Sequence, residues 1–234
     1  MKLLNNIIKF FVKSNFLLSF LFFLAAILII TNLFLVFKYF PEDYLQGNLV
    51  KIMYTHVPFA WVSMLLYSAI AISSIIFLIK EAALFDILAK SSAYVLLGAI
   101  GVTLLTGSIW GKPAWGTWWV WDARLTSILI LFFITLSYIL VRSTFYNEEL
   151  GARIAAITAI VGFLNVPIIK FSVDFWGTLH QKSTFFRAEG PSIHPLMMYP
   201  NIIMFFGVLI LVSVTIISRI KLEIIVKRLN RIEL

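Results

Sequence analysis

The chain has 234 residues, of which 61% are hydrophobic and 13% are charged, and this leaves too little polar surface to cover a water-soluble globule of this size. It contains no cysteine, which excludes disulfides, thiolate metal ligands and thioether attachment of a cofactor to this chain. The net charge of +8 does not indicate nucleic-acid binding, because the basic residues mostly flank apolar runs, where they set membrane topology. The sequence therefore predicts an all-α integral membrane protein.

Six charge-free runs predict six transmembrane helices. They cover residues 14–37, 52–79, 91–111, 125–141, 154–169 and the latter part of 190–218, and about twenty residues suffice to cross a bilayer as a helix. The fourth and fifth runs are short, but Arg142 and Lys170 can snorkel at their ends. The first run is longer than a signal-peptide core and lacks a small-residue cleavage pattern, so we expect it to be retained. Residues 1–234 are expected to form a single polytopic membrane domain.

The basic residues are distributed unevenly between the two sides of the predicted membrane domain. If the N-terminus is cytoplasmic, that side carries twelve of the 19 lysines and arginines, and the other side carries its seven over longer segments. The positive-inside rule then places both termini in the cytoplasm. In this topology the segment between the third and fourth spans lies on the outer face, and all three histidines lie at or near that face.

The first candidate metal ligand is His56, which lies a few residues into the second apolar run. An imidazole inside a membrane span costs free energy unless it has a partner. Taken alone, His56 is equally well explained as an interfacial histidine bonded to a backbone carbonyl or a lipid headgroup. Its interpretation as a ligand depends on what else lies on the same side.

Residues 110–127 form a tryptophan-rich segment between the third and fourth runs. Five of the seven tryptophans fall within it: Trp110, Trp115, Trp118, Trp119 and Trp121. An ordinary aromatic belt accounts for one or two indoles at each boundary, and five exceed that. Because indole combines a flat apolar face with one N–H donor, the segment predicts a platform for a flat apolar ligand with a polar edge, such as a porphyrin.

The backbone of this segment is predicted to form an interfacial helix that begins at Pro113, since proline suits a first helical turn. Four residues at spacings of three and four would then share one face: Trp115, Trp118, Trp119 and Asp122. Gly111 and Gly116 favour a looser backbone instead.

Three charged residues accompany the indoles. Lys112 and Arg124 bracket them and are candidates to pair with carboxylates on the rim of a ligand, as porphyrin propionates would require. Both also fit a role as boundary anchors, and Arg124 could simply pair with Asp122. The Asp122 carboxylate could orient an indole N–H or a ligand histidine, so all three belong to the candidate binding set.

His180 follows the fifth run and lies close to another indole, Trp176. Two histidines beside a tryptophan platform suit an iron porphyrin, because imidazole is a common axial ligand. His56 and His180 are therefore the predicted metal ligands. The third histidine, His194, precedes the sixth run and is interpreted as a solvent-exposed or capping residue.

Several segments resemble the haem exporter protein C family, CcmC. Residues 110–127 (WGKPAWGTWWVWDARLTS) resemble the tryptophan-rich WWD signature of haem-handling proteins in cytochrome c maturation. Residues 44–48 (YLQGN), 52–58 (IMYTHVP), 165–169 (NVPII) and 178–181 (TLHQ) are similar to further segments of that family in a similar order.

The resemblance implies a six-span subunit of the bacterial inner membrane whose outer tryptophan segment binds haem b, with His56 and His180 as axial ligands. It also implies transfer of haem to the membrane-tethered haem chaperone CcmE. The implied partners are an ATP-binding cassette ATPase, a second membrane subunit and a small membrane peptide. The chain itself carries no phosphate-binding loop and no hydrolytic motif, so ATPase activity is expected only in a partner.

Two other functions fit the same features. One is a cytochrome c haem lyase or synthetase of the related WWD group, although those proteins are larger and carry more histidines. The other is a non-enzymatic membrane subunit whose tryptophans merely anchor it. A haem absorption band in the purified protein would separate the structural alternative from the other two.

Overall fold

The computed structural model describes residues 14–180, 184–185, 187 and 190–229, and this part of the chain folds as a bundle of α-helices. The elements in chain order are α1 (Asn15–Tyr39), a 3-10 turn (Asn48–Ile52), α2 (Met53–Lys80), α3 (Ala83–Trp115), α4 (Ala123–Thr144), α5 (Glu148–Gly162), α6 (Asn165–Phe175) and α7 (Pro195–Leu229).

The prediction of six membrane spans is confirmed. Six helical stretches are long and apolar enough to cross a membrane, so the chain is a multi-pass membrane protein. The fourth stretch extends over Ala123–Thr144, and the fifth combines α5 and α6 into Glu148–Phe175. Both are longer than their charge-free runs because charged residues such as Arg142 are included in the terminal turns of the helices.

Helix α2 lies at the centre of the bundle and packs against α3, α5 and α7, whereas α1 lies at the periphery against α7. The core is built mainly from aliphatic side chains of α2, α3, α4 and α7, including Ile70, Leu96, Ile100, Leu131 and Val208. Glycines allow two close approaches. A Cβ at Gly162, at the break between α5 and α6, would collide with the Tyr67 hydroxyl, and one at Gly207 would lie 2.9 Å from Ile29 of α1.

The two ends of the bundle differ in composition. One end, here called the charged end, contains the turns between α2 and α3 and between α4 and α5. Its ion pairs include Asp86–Arg142 at 2.6 Å, Lys90–Glu223 at 2.7 Å, Glu81–Arg153 at 2.7 Å and Glu149–Arg153 at 2.9 Å. The opposite end, here called the aromatic end, contains residues 40–52, the tryptophan-rich segment and the loop after α6.

The predicted interfacial helix starting at Pro113 is wrong. Helix α3 continues through Pro113 to Trp115, and residues 116–122 are not helical before α4 begins. The helix ends where Gly116 adopts the left-handed conformation (φ 77°) and donates its N–H to the Lys112 carbonyl at 3.0 Å. A glycine at this position is the usual way to terminate a helix, and a single proline in the last turns costs α3 few hydrogen bonds.

Candidate functional site

A cavity of about 400 Å³ opens at the aromatic end, lined by α2, α3, α4, α6 and the loop after α6. Its size lies within the range of small-molecule sites. Six of the predicted site residues line it: His56, Trp110, Trp115, Trp119, Arg124 and His180. The fold therefore brings together side chains that are far apart in the sequence.

The two predicted metal ligands line the same cavity and lie close together. The ring centroids of His56 and His180 lie 6.5 Å apart, and the ring planes are inclined by 81°. Metal–imidazole bonds of about 2.0 Å on each side would set two ring centroids roughly 6 Å apart. The observed spacing therefore suits two imidazoles that bind one metal ion from opposite sides.

The hydrogen bonds of His56 determine which of its ring nitrogens can bind a metal. Nδ1 lies 3.1 Å from the Thr103 carbonyl and 3.1 Å from the Thr106 hydroxyl oxygen. A carbonyl only accepts, and the Thr106 hydroxyl donates to Val102 at 2.7 Å, so Nδ1 carries the proton. Nε2 then keeps its lone pair for a metal, as in many metal sites. Gly107 provides room for the ring, since a Cβ there would lie 3.0 Å from Cε1.

His180 lies on the loop after α6, and its ring packs against Trp115 with 5.2 Å between ring centroids. Burial lowers the pKa of His180 to about 4, and the nearby His56 and Arg124 act in the same direction. The imidazole is therefore neutral at neutral pH, which is the form that binds metals.

The five tryptophans of the segment separate into two groups. Trp110, Trp115 and Trp119 line the cavity, whereas Trp118 and Trp121 are 58% and 76% exposed. The Trp110 N–H donates to the Gln46 side chain at 2.9 Å. The Trp119 N–H is buried, and no described residue accepts a hydrogen bond from it. Buried donors are nearly always paired with protein or water, so a water or a bound molecule in the cavity would accept this bond.

The structure does not have the Arg124–Asp122 pair that the sequence left open as an alternative; Arg124 has other partners. The guanidinium of Arg124 lines the cavity and donates to the carbonyls of Ile169 and Lys170 in α6, at 3.4 and 3.3 Å, and to the Ser172 hydroxyl at 3.3 Å. These contacts hold α6 against the start of α4. Arg124 is therefore both a lining residue and a link between two helices.

The other two charged candidates lie outside the cavity lining. Lys112 is exposed and donates to the Gly116 carbonyl at 3.2 Å. Asp122 is buried and caps α4, because one carboxylate oxygen accepts the Leu125 N–H at 2.8 Å. Its other oxygen accepts the Thr178 hydroxyl at 2.5 Å, which connects it to the loop that carries His180.

Several lining residues were not predicted from the sequence. Ala60 and Met64 follow His56 at helical spacing on α2, and both line the cavity. That spacing was a usable signal, because residues four and eight positions apart share one face of a helix. Gln46, which also lines the cavity, and Thr178, which lies beside the lining residue Leu179, gave no such signal, since their hydrogen-bond partners lie in distant parts of the chain.

His194 behaves as the capping interpretation predicts. It is exposed at the start of α7, and its Nδ1 accepts the Leu196 N–H at 3.3 Å. It is absent from the cavity lining.

The described residues contain no group of three or more His, Cys, Asp or Glu side chains placed to hold a metal ion. A bare ion between His56 and His180 would therefore have no third protein ligand of these types among the described residues, whereas porphyrin iron brings four nitrogens of its own and needs only axial ligands from the protein. The donor set thus fits a haem better than a free ion.

Comparison with known proteins finds relatives along most of the chain. The sequence model of the family described as "Heme exporter protein C" matches residues 1–234. The chain is 44% identical over 194 residues to a "Putative cytochrome c biosynthesis ccmC-like mitochondrial protein" of Marchantia polymorpha, covering 82% of this chain and 79% of the relative. It is 40% identical to the "Heme exporter protein C" of Bradyrhizobium diazoefficiens over 194 residues, and 40% identical to that of Escherichia coli K12 over 185 residues. These matches cover 83% and 79% of this chain and 74% of each relative.

Proposed function

Because the chain belongs to the haem exporter protein C family of cytochrome c biogenesis, we propose that it holds haem b at the outer face of the bacterial inner membrane and presents it to the haem chaperone CcmE. A chain without cysteine cannot form thioether bonds to the porphyrin, so the haem would be held non-covalently, and haem b is such a form.

The observation that carries this proposal is the pair of histidines in an aromatic cavity. His56 and His180, whose ring centroids lie 6.5 Å apart, would hold the haem iron through their ring nitrogens. The bound haem would supply the iron and the reactive porphyrin edge, and the protein would supply ligation, orientation and a partly dry surrounding.

The tryptophans and charged residues take separate roles in this proposal. Trp110, Trp115 and Trp119 line the cavity and would contact the porphyrin face. The Trp119 N–H would donate to a carboxylate on the porphyrin rim. Arg124 would meet a propionate, and Lys112 would do so from the exposed edge. Trp118 and Trp121 are exposed and would contact the chaperone during transfer.

The driving force for transfer would come from other proteins of the same haem export system. The sequence contains no phosphate-binding loop, so an ATP-binding cassette ATPase would act together with a second membrane subunit and a small membrane peptide. This chain would then be the haem-holding subunit of that complex.

The decisive experiment is an absorption spectrum of the full-length protein purified with haem. We expect a Soret band typical of haem with two imidazole ligands, loss of that spectrum in the His56→Ala, His180→Ala double variant, and no change in His194→Ala. An unaltered spectrum in the double variant would contradict the ligand assignment. Haem-loaded CcmE formed by the parent, with no attachment to apocytochrome thiols, would separate transfer from lyase activity.

The proposed orientation has its own test, because the chain is free of cysteine. Tyr44 at the aromatic end and Tyr146 at the charged end are both almost fully exposed. With the termini in the cytoplasm, an impermeant thiol reagent should label Tyr44→Cys but not Tyr146→Cys on spheroplasts. The reverse pattern would show that the orientation is inverted.

A further inference from the structure

His180 reaches the cavity from a loop rather than from a helix. Helix α6 ends at Phe175, and the Trp176 N–H donates back to the Ser172 carbonyl at 3.0 Å. Residues 176–180 have no regular secondary structure. His56, in contrast, projects from the long helix α2. A ligand on a loop keeps its orientation only if neighbouring groups hold it there.

The hydroxyl of Thr178 provides such a contact. It accepts the backbone N–H of His180 at 3.0 Å, which forms a short turn closed by a side chain. The same hydroxyl donates to the Asp122 carboxylate at 2.5 Å. One hydroxyl can do both at once, because it has one donor and two acceptor positions.

Asp122 is a fixed point for this contact. The residue is 8% exposed, and its first carboxylate oxygen caps α4 through the Leu125 N–H at 2.8 Å. The second oxygen is thereby directed towards Thr178. Arg124, in the first turn of the same helix, holds the Ile169 and Lys170 carbonyls of α6. The start of α4 therefore fixes both α6 and the loop that follows it.

We propose that Thr178 is a positioning residue for His180. Its hydroxyl is held by the Asp122 carboxylate and in turn fixes the backbone of His180. The inference rests on the proposed function, in which His180 is an axial ligand of haem. Asp122, in this arrangement, acts on haem through Thr178 and does not touch it.

The test uses the full-length chain purified and loaded with haem b. Thr178→Val keeps the shape of the side chain but removes the hydroxyl, whereas Thr178→Ser keeps the hydroxyl. We expect the valine variant to bind haem about tenfold more weakly, the usual effect of a lost hydrogen bond to a charged group. Its spectrum should match that of His180→Ala, with one histidine ligand, while the serine variant should keep the two-histidine spectrum.

A parental spectrum in Thr178→Val would overturn the proposal. If that variant does not insert into the membrane, Thr178→Ala is measured in its place with the same expectation. In the His180→Ala background, Thr178→Val should cause no further loss of haem binding, because the two changes act on the same ligand. A further loss there would indicate a purely structural role and would also overturn the proposal. A parent that binds no haem would instead refute the proposed function.

Discussion

Arg142 at the charged end and Arg124 at the aromatic end differ in the partners that they bind. At the charged end, Arg142 is paired with both oxygens of Asp86, at 2.6 and 2.9 Å, and both side chains are largely buried. At the aromatic end, Arg124 donates to backbone and hydroxyl oxygens, and the Trp119 N–H is buried without a partner in the described chain. The charged end joins neighbouring helices through ion pairs, whereas the aromatic end surrounds a cavity.

This contrast indicates that stability and ligand binding are located at different ends of the same helices. Helices α3 and α4 each carry a paired ion at the charged end and cavity residues at the aromatic end. Substitutions at one end should therefore change the melting temperature and leave the haem spectrum intact, and substitutions at the other end should do the reverse.

The largest effect is expected from Asp86→Ala. The change leaves the buried Arg142 guanidinium without its carboxylate, and breaking a buried pair in this way costs about 3–5 kcal/mol. We expect a large fall in the melting temperature in detergent and an unchanged haem spectrum in the protein that remains folded. The Asp86→Leu, Arg142→Leu double variant should recover most of the stability, because no charge is left unpaired. A shifted haem spectrum in Asp86→Ala would contradict the separation of the two ends.

The next largest effect is expected from Trp119→Ala at the aromatic end. Removing an aromatic wall of the cavity costs roughly 1–3 kcal/mol of ligand binding, so haem affinity should fall by about fivefold to a hundredfold while membrane insertion is unchanged. Trp121→Ala is the matched control, because Trp121 belongs to the same segment but is 76% exposed. Equal losses of bound haem in the two variants would mean that these indoles anchor the segment and do not line a haem site.

The membrane spans and the unusual residues of the site could be predicted from the sequence, whereas the arrangement of the tryptophans could not. Hydropathy predicted all six spans because a span is a local property of about twenty residues. Composition also indicated His56, His180 and the indoles, since each is unusual where it lies. The division of the tryptophans into lining and exposed residues depends on where α3 ends. The sequence allowed a helix that begins at Pro113, whereas in the structure Gly116 ends the preceding helix.

The contacts that join distant segments could not be predicted from the residues involved. Asp122 and Thr178 meet only because α6 packs against α4, and nothing near Thr178 in the sequence indicates a carboxylate partner. The same holds for Gln46 and Trp110, which meet because the turn before α2 lies beside the end of α3. Local propensity determines elements, whereas such pairs depend on how the elements pack.

A smaller effect is expected from Gly107→Ala. A Cβ at this position would lie 3.0 Å from the His56 ring, so the ring must move by a few tenths of an ångström. We expect haem binding to weaken by a few-fold and the spectrum to shift slightly. Gly101→Ala is the control on the same helix, because nothing lies within 4 Å of its Cβ. Both changes favour helix formation equally, so a haem effect shared by the two would show that the His56 contact is unimportant.

The smallest effect is expected from Arg153→Ala, which tests whether burial or the number of ion pairs matters at the charged end. Arg153 contacts two carboxylates, those of Glu81 at 2.7 Å and Glu149 at 2.9 Å, whereas Arg142 contacts one. The side chains of Glu81 and Glu149 are both 69% exposed, however, whereas the side chain of Asp86 is 9% exposed. Water competes for exposed charges, so such pairs contribute little. We expect the melting temperature of Arg153→Ala to stay close to that of the parent. A fall as large as that of Asp86→Ala would show that the number of ion pairs, and not their burial, determines the stability of the charged end.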